Sequence, residues 1–297
     1  MAAKGNAAGK IRIGVGGWTY EPWRGGAFFP KGLPQARELE YAGSKLTSIE
    51  INGTYYGSQK PTSFAKWHDE TPEDFVFSVK GPRFATNRRV LAEAGESVER
   101  FFKTGVTGLK AKLGPVNWQF ATTKRFDAED FAAFLKLLPK SVDGLAIRHV
   151  VEVRHESFKH PDFIALAREH GVAVAMAGDA EYPQIADLTA PFVYARIMGT
   201  TETEERGYSA AALDQWASRA KTWAAGGSPN DLATVAPATK SDAAGREVFL
   251  YVISGYKQRN PAAAMALIER VGCPRALWKS CIWSSVIASE AKQSRGT

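Results

Sequence analysis

The stretch Thr47-Ser48-Ile49-Glu50-Ile51-Asn52 alternates polar and β-branched residues with a period of two. That period belongs to a strand whose two faces meet different surroundings. If the isoleucines pack against helices, Glu50 and Asn52 point to the other side. The same alternation recurs along the chain, in short apolar runs that end on a charged or polar residue and lead into helical stretches. Eight such runs are read: Ile11 to Val15, Thr47 to Asn52, Phe75 to Lys80, Gly108 to Leu113, His149 to Arg154, Val172 to Asp179, Phe192 to Arg196 and Val248 to Ile253. Strands alternating with helices imply right-handed crossovers and a parallel sheet, and eight units in 297 residues is the size at which such a sheet closes. The expected fold is a single α/β domain, a (β/α)8 TIM-like barrel, with chemistry at the C-terminal ends of its strands.

Within that frame, parity sends Glu50 and Asn52, Ser78 and Lys80, Glu152 and Arg154, and Tyr194 and Arg196 into the barrel, while Asp179 ends the sixth run. Two glutamates, one aspartate, one lysine and two arginines then converge on one mouth. Desolvating so many ionisable groups is unfavourable unless they pair or meet a ligand. One reading is that Glu50, Glu152, Arg154 and Arg196 satisfy each other and plug the barrel. The other takes note of the aromatics that follow the strands: Trp18, Tyr20 and Trp23, Tyr55 and Tyr56, Trp118, and Phe158. Aromatics at a rim over a charged floor suit a polar ring compound, stacked above and hydrogen-bonded below. Their alternative role is to pack long loops onto the barrel top.

Composition agrees with one large domain, since 44% hydrophobic and 23% charged residues supply an ordinary core and surface. The net charge of +7 is concentrated at the two ends. Residues 1–12 contribute +3 and residues 273–297 another +3, which leaves 31 bases against 30 acids between them. A broad phosphate-tracking face is therefore not demanded. The local exception is Phe75 to Ala92, which carries Lys80, Arg83, Arg88 and Arg89 and no acid. Cys273 and Cys281 have neither a second pair nor nearby histidines, so no disulfide framework or zinc site is indicated. No apolar run is long enough for a signal peptide core or a membrane span, so a cytoplasmic protein with no membrane partner is expected. Residues 1–10 read as a flexible N-terminus and 11–272 as the barrel. Within the barrel, Ala224 to Gly245 reads as a flexible insertion before the eighth strand, and 273–297 as a poorly ordered, functionally silent tail.

Several motifs carry a resemblance. Gly16-Gly17-Trp18-Thr19-Tyr20, Trp23-Arg24-Gly25, Phe28-Phe29-Pro30 and Ile49-Glu50-Ile51-Asn52-Gly53-Thr54-Tyr55-Tyr56 resemble the opening of the YecE-like family, domain of unknown function 72. Phe75 to Lys80, Leu113-Gly114-Pro115, Glu152 to Phe158 and Tyr194-Ala195-Arg196 extend the resemblance over about residues 11 to 271. It implies a TIM-like barrel and no particular reaction. Where many relatives carry a Phe-Asn-Asn stretch after strand eight, this chain reads Tyr251-Val252-Ile253-Ser254-Gly255-Tyr256. Beyond it, Asn260 suits an N-cap and Pro261 the first helical turn.

The functional expectation is binding of, or acid/base chemistry on, a small anionic or polar ring compound such as a sugar phosphate or nucleotide. Glu50 or Glu152 is the expected general base. Lys80, Arg154 and Arg196 are expected to hold negative charge, with Lys80 also a Schiff-base candidate, and Trp18, Tyr20, Asn52, Tyr55 and Asp179 to contact the ligand. No cofactor is called, and catalysis itself stays open. One alternative is a single-stranded nucleic acid on Lys80 to Arg89 and the rim aromatics. A second is a metal-dependent isomerase or phosphodiesterase using Glu50, Glu152, His155 and Asp179, although His155 falls on the opposite face from Glu152.

Overall fold

The computed structural model describes residues 8–238 and 245–272. The expectations for the first seven residues, the middle of the insertion and the tail lie outside the described residues. Eight strand positions form one parallel sheet: Ile11–Gly16, Ser48–Ile51, Val76–Lys80, Leu113–Gln119, His149–Glu152, a split sixth strand (Ala173–Val174 and Met176–Gly178), Phe192–Ile197 and Glu247–Val252. They are named first to eighth below. The first strand pairs with the second and with the eighth, and pairing continues in chain order around the ring. Closure falls on the sixth strand. Its first segment pairs with the fifth strand and its second with the seventh, and the Ala175 N–H between them donates to Val151 O at 2.9 Å.

Helices cover the outside of this ring. Phe64, Phe101, Phe134, Phe163, Trp216 and Leu267 bury against outward-facing Ile13, Ile49, Val79, Trp118 and Val151. The sixth strand is the exception to the rhythm, because the Asp179 to Pro191 connection is irregular. Pro183 interrupts it, and buried Ile185 and Ala186 cover that face where a helix would stand.

The fourth strand lies further along the chain than its expected run. Val106–Lys112 forms 3-10 turns instead, and the strand occupies Leu113–Gln119 with Pro115 inside it. Proline lacks the N–H that a central strand needs. The ladder accommodates it with a bulge: Phe77 faces Leu113 and Val79 faces Val116, so two steps on one strand match three on the other.

The interior is layered. At the N-terminal end Arg12 and Arg148 grip the two oxygens of Glu247 at 2.8 and 2.5 Å, with Arg148 over the rings of Phe249 and Phe192. Above lie Tyr194 and Tyr251, whose hydroxyls meet the Ser78 and Ser48 hydroxyls at 2.8 and 2.7 Å. Those serines donate to the backbone oxygens of Pro115 and Val76, which leaves no open bore. Gly14 is required here, because a Cβ at that position would stand 1.9 Å from Ser48 O. Gly14→Ala is expected to destabilise the barrel by about 1–3 kcal/mol through overpacking, read from the midpoint of urea unfolding.

Candidate functional site

Above the tyrosine layer, the strand ends deliver a cluster of charge. Parity places Glu50 of the second strand, Lys80 of the third, Asn117 and Gln119 of the fourth, Glu152 of the fifth and Arg196 of the seventh on the inner face. Arg154 lies two residues past Glu152. Arg196 is the hub: one guanidinium nitrogen donates to Glu152 Oε1 at 2.5 Å and the other to Glu50 Oε1 at 2.9 Å. Glu50 Oε2 accepts from the Tyr194 hydroxyl at 2.6 Å and from Asn117 Nδ2 at 3.3 Å. Glu152 Oε1 also accepts two bonds from Arg154, at 2.9 and 2.6 Å, and Oε2 one from Asn117 at 3.0 Å. Lys80 Nζ donates to Gln119 Oε1 at 2.6 Å and stands 3.8 Å from Glu50.

Burial pushes the Glu152 carboxyl up, but Arg196, Arg154 and Lys80 outweigh it and bring it down to about 2. The same contest, with Arg196 and Lys80 prevailing, lowers Glu50. For Lys80, burial and then the charge of Arg196 bring the ammonium down to about 8, against the pull of Glu50 and Glu152. Arg196 loses to burial less than it gains from the two glutamates, so it stays charged. Three cations face two anions, and the excess has a direction. The side chains of Glu50 and Glu152 are 0% and 1% exposed, that of Arg196 4%, and those of Lys80 and Arg154 9% and 18%. What the mouth shows to solvent is positive.

Around this floor the expected rim residues take different places. Tyr55 flanks Lys80, its ring centre 5.6 Å from Nζ. Asn52 is half-buried at the start of the turn Gly53–Tyr56, its amide against Gly16. Trp18 stands edge-on to Trp67 at 5.3 Å and beside Phe77, an outward-facing strand residue. Tyr20 stands edge-on to Trp23, with Lys257 over its ring at 4.2 Å. Asp179 is exposed, has a φ of +54°, and accepts from Trp216 Nε1 at 2.9 Å; it makes no bond to the ion cluster. Trp23, Trp118 and Phe158, read as rim aromatics, are buried instead. Trp118 lies within the fourth strand and faces outward, donating to His149 Nδ1 at 3.1 Å, and Phe158 sits among Phe120, Phe126, Phe131 and Phe163.

Three contributors were not read from the sequence. Asn117 and Gln119 lie beyond the expected fourth run, although Val116-Asn117-Trp118-Gln119 carries the same polar alternation as the second strand. Tyr182, whose ring lies 4.3 Å from the Arg154 guanidinium and whose hydroxyl accepts from it at 3.3 Å, comes from the irregular connection and has no periodic signal. The metal set of the second alternative is not assembled: His155 turns to Ser157 at 2.9 Å, and among the described residues no three His, Cys, Asp or Glu side chains are grouped to hold a metal ion. Asn260 is the first residue of its helix rather than the cap. It is buried, accepting from the Thr200 hydroxyl at 2.7 Å and donating to Ser254 O.

Comparison with known proteins matches residues 12–281 to the family described as "Protein of unknown function DUF72". The UPF0759 protein YecE of Escherichia coli (strain K12) is 27% identical over 151 residues, half of this chain and half of that protein. The match thus spans about half the length of this curated relative. A DUF72 family protein of Thermotoga maritima superposes with a TM-score of 0.62 at 20% identity, covering 88% of this chain and 97% of the other. One from Enterococcus faecalis does so with 0.61 at 17%, covering 88% and 97%. At these identities the structural likeness speaks to the fold. Among the described residues no helix is long and apolar enough to cross a membrane.

Acid should loosen this site. Glu152 is ionised more readily in the folded chain than at its ordinary 4.5, so its contribution is complete above that value and is lost as pH falls toward 2. Urea midpoints are expected to decline over this window less steeply in Glu152→Gln than in the parent. Arg196→Met, which strips two buried carboxylates of their shared cation, is expected to cost about 3–5 kcal/mol at pH 7.

Proposed function

This chain belongs to the DUF72 family, and from the geometry of its barrel mouth we propose that it binds a small anionic compound, a sugar phosphate or nucleotide, at the C-terminal ends of the strands. The observation that carries the reading is the outward surplus of cation: carboxylates below, Lys80 and Arg154 above, with one positive charge in excess. A buried charge excess of this kind is unfavourable until a counter-ion arrives. Arg154 spends Nε and one N–H of Nη2 on Glu152 and one N–H of Nη1 on Tyr182, which leaves one N–H on each terminal nitrogen for a phosphate or carboxylate, and Tyr55 and Tyr182 stand beside the two cations as apolar walls for a ring. Arg196 Nε and Asn117 Oδ1 are buried without a hydrogen-bond partner, so the floor retains one unmet donor and one unmet acceptor.

In this reading Glu50 and Glu152 act by holding the cations. Carboxylates that already accept several short bonds and ionise well below neutrality are weak proton acceptors. The general-base expectation for these two residues accordingly passes to Lys80, the group at the mouth whose charge changes nearest neutral pH. A second reading draws on Tyr56 and Phe84, which are 67% and 61% exposed, with the Arg83 guanidinium 5.5 Å from the Phe84 ring. Exposed rings beside arginines are how single strands are stacked and held.

A thermal-shift panel of sugar phosphates, nucleotides and short single-stranded oligonucleotides separates the two. A rise in Tm with a small phosphate that disappears in Arg154→Met, while the fold is retained, is the expected result. An oligonucleotide effect that persists in Arg154→Met and falls steeply with salt would move the function to the Arg83 ledge.

A further inference from the structure

Lys80 occupies an unusual place among the charges of the mouth. Its amine lies within a hydrogen bond of a neutral amide rather than a carboxylate, because the carboxylate oxygens nearby are already engaged. Glu50 Oε1 is taken by Arg196 and Oε2 by Tyr194 and Asn117, and Glu152 is held by Arg196, Arg154 and Asn117. Gln119 Oε1, at 2.6 Å, accepts from an ammonium or a neutral amine alike. The side chain therefore keeps its aim when it loses its proton, and its lone pair is then turned away from Gln119. The groups facing it are Glu50 at 3.8 Å, the Tyr55 ring at 5.6 Å, and the charges of Arg196, Arg154 and Glu152. Two like charges and burial bear on the amine from below and beside, while 9% of the side chain reaches solvent. This is the environment that turns a lysine from a point charge into a nucleophile.

We propose that Lys80 condenses with the carbonyl carbon of a small anionic aldehyde or ketone whose negative group is held by Arg154. This deepens the anion-binding reading and rests on it. The Nζ lone pair forms the C–N bond as the carbonyl π pair moves onto oxygen, which takes a proton. The nitrogen of the carbinolamine then loses a proton and the hydroxyl leaves, protonated, as water. Amine and carbonyl give imine and one water, with no oxidant or reductant consumed. In the protonated imine the positive charge stays where the ammonium was, opposite Glu50.

The test is reductive trapping on the full chain, with dihydroxyacetone phosphate or pyruvate as probe, cyanoborohydride as reductant, and peptide mapping as readout. At pH 8 the Lys80 peptide is expected to be labelled about tenfold faster than the other lysines, since its neutral fraction is raised more than its nucleophilicity is lowered. The rate should rise with a midpoint of about 8. The fast phase of single-adduct formation is expected to vanish in Lys80→Arg, leaving the slow background of the other lysines, and in Arg154→Met labelling at Lys80 is expected to slow more with dihydroxyacetone phosphate than with uncharged dihydroxyacetone, because loss of Arg154 also removes one of the charges that lower the amine. Adducts spread over surface lysines, with Lys80 untouched, would overturn the inference. The Arg154-dependent thermal shift separates the two claims: if it is present without trapping, the anion site stands and the nucleophile falls; if both are absent, both fall. Labelling at Lys80 that is indifferent to Arg154→Met would overturn the assignment of an anionic substrate. Should Lys80→Arg fail to fold, the Arg154→Met comparison and the pH midpoint still decide.

Discussion

One guanidinium holds the upper half of this barrel together. Arg196 reaches Glu152 at 2.5 Å and Glu50 at 2.9 Å, and so ties the seventh strand to the fifth and the second across the barrel axis. The planar fork of arginine makes this bridge possible, since a lysine at the same place could not present two nitrogens in fixed directions. Once Arg196 has drawn two carboxylates under it, their remaining oxygens recruit Tyr194, Asn117 and Arg154. Lys80 is left with Gln119. The arrangement of the mouth follows from that first pairing.

A charged core of this depth is weak evidence for stability, because well-packed apolar residues would serve as well or better. The lower end of the same barrel makes the contrast. There Arg12, Arg148 and Glu247 form an ion cluster at the strand starts, where barrels do not place chemistry, and its two arginines share one carboxylate beneath a layer of aromatic rings. The cations outnumber the anions by one at both ends, but at the upper end the surplus stands outermost, at the C-terminal ends of the strands. A plug is satisfied by its own members; the upper cluster also keeps an unpartnered donor on Arg196 and an unpartnered acceptor on Asn117. Position at the strand ends and these unmet groups are what, in the proposed reading, set the upper network apart from the lower one.

Membership of the DUF72 family and superposition on two of its solved members fix the architecture, and architecture in barrels is nearly silent about reaction. The chemistry has to be argued from the mouth. There the carboxylates are the groups held firmly in one protonation state, and the lysine is the group poised near neutral pH. In the proposed reading Glu50 and Glu152, either of which the strand ends suggest as a general base, serve as anchors for the cations.

Alternation alone determined a great deal here. Ser48-Ile49-Glu50-Ile51-Asn52 and its counterparts fixed which face each strand buries, and hence that Glu50, Lys80, Glu152 and Arg196 enter one barrel, because side chains on a strand have a period of two whatever surrounds it. Pro115 broke the signal in the fourth strand. A proline reads as a turn until a bulge in the neighbouring pairing absorbs its missing N–H, and with that strand went Asn117 and Gln119. The rim was the least legible part: Trp118 and Phe158 are core residues, whereas Tyr182 reaches Arg154 from a connection with no periodicity. Loop side chains take their places from whatever the finished barrel leaves exposed. Which oxygen each cation takes, and so which amine is left over, depends on distances across the barrel between residues as far as 146 positions apart, and only the closed ring sets those.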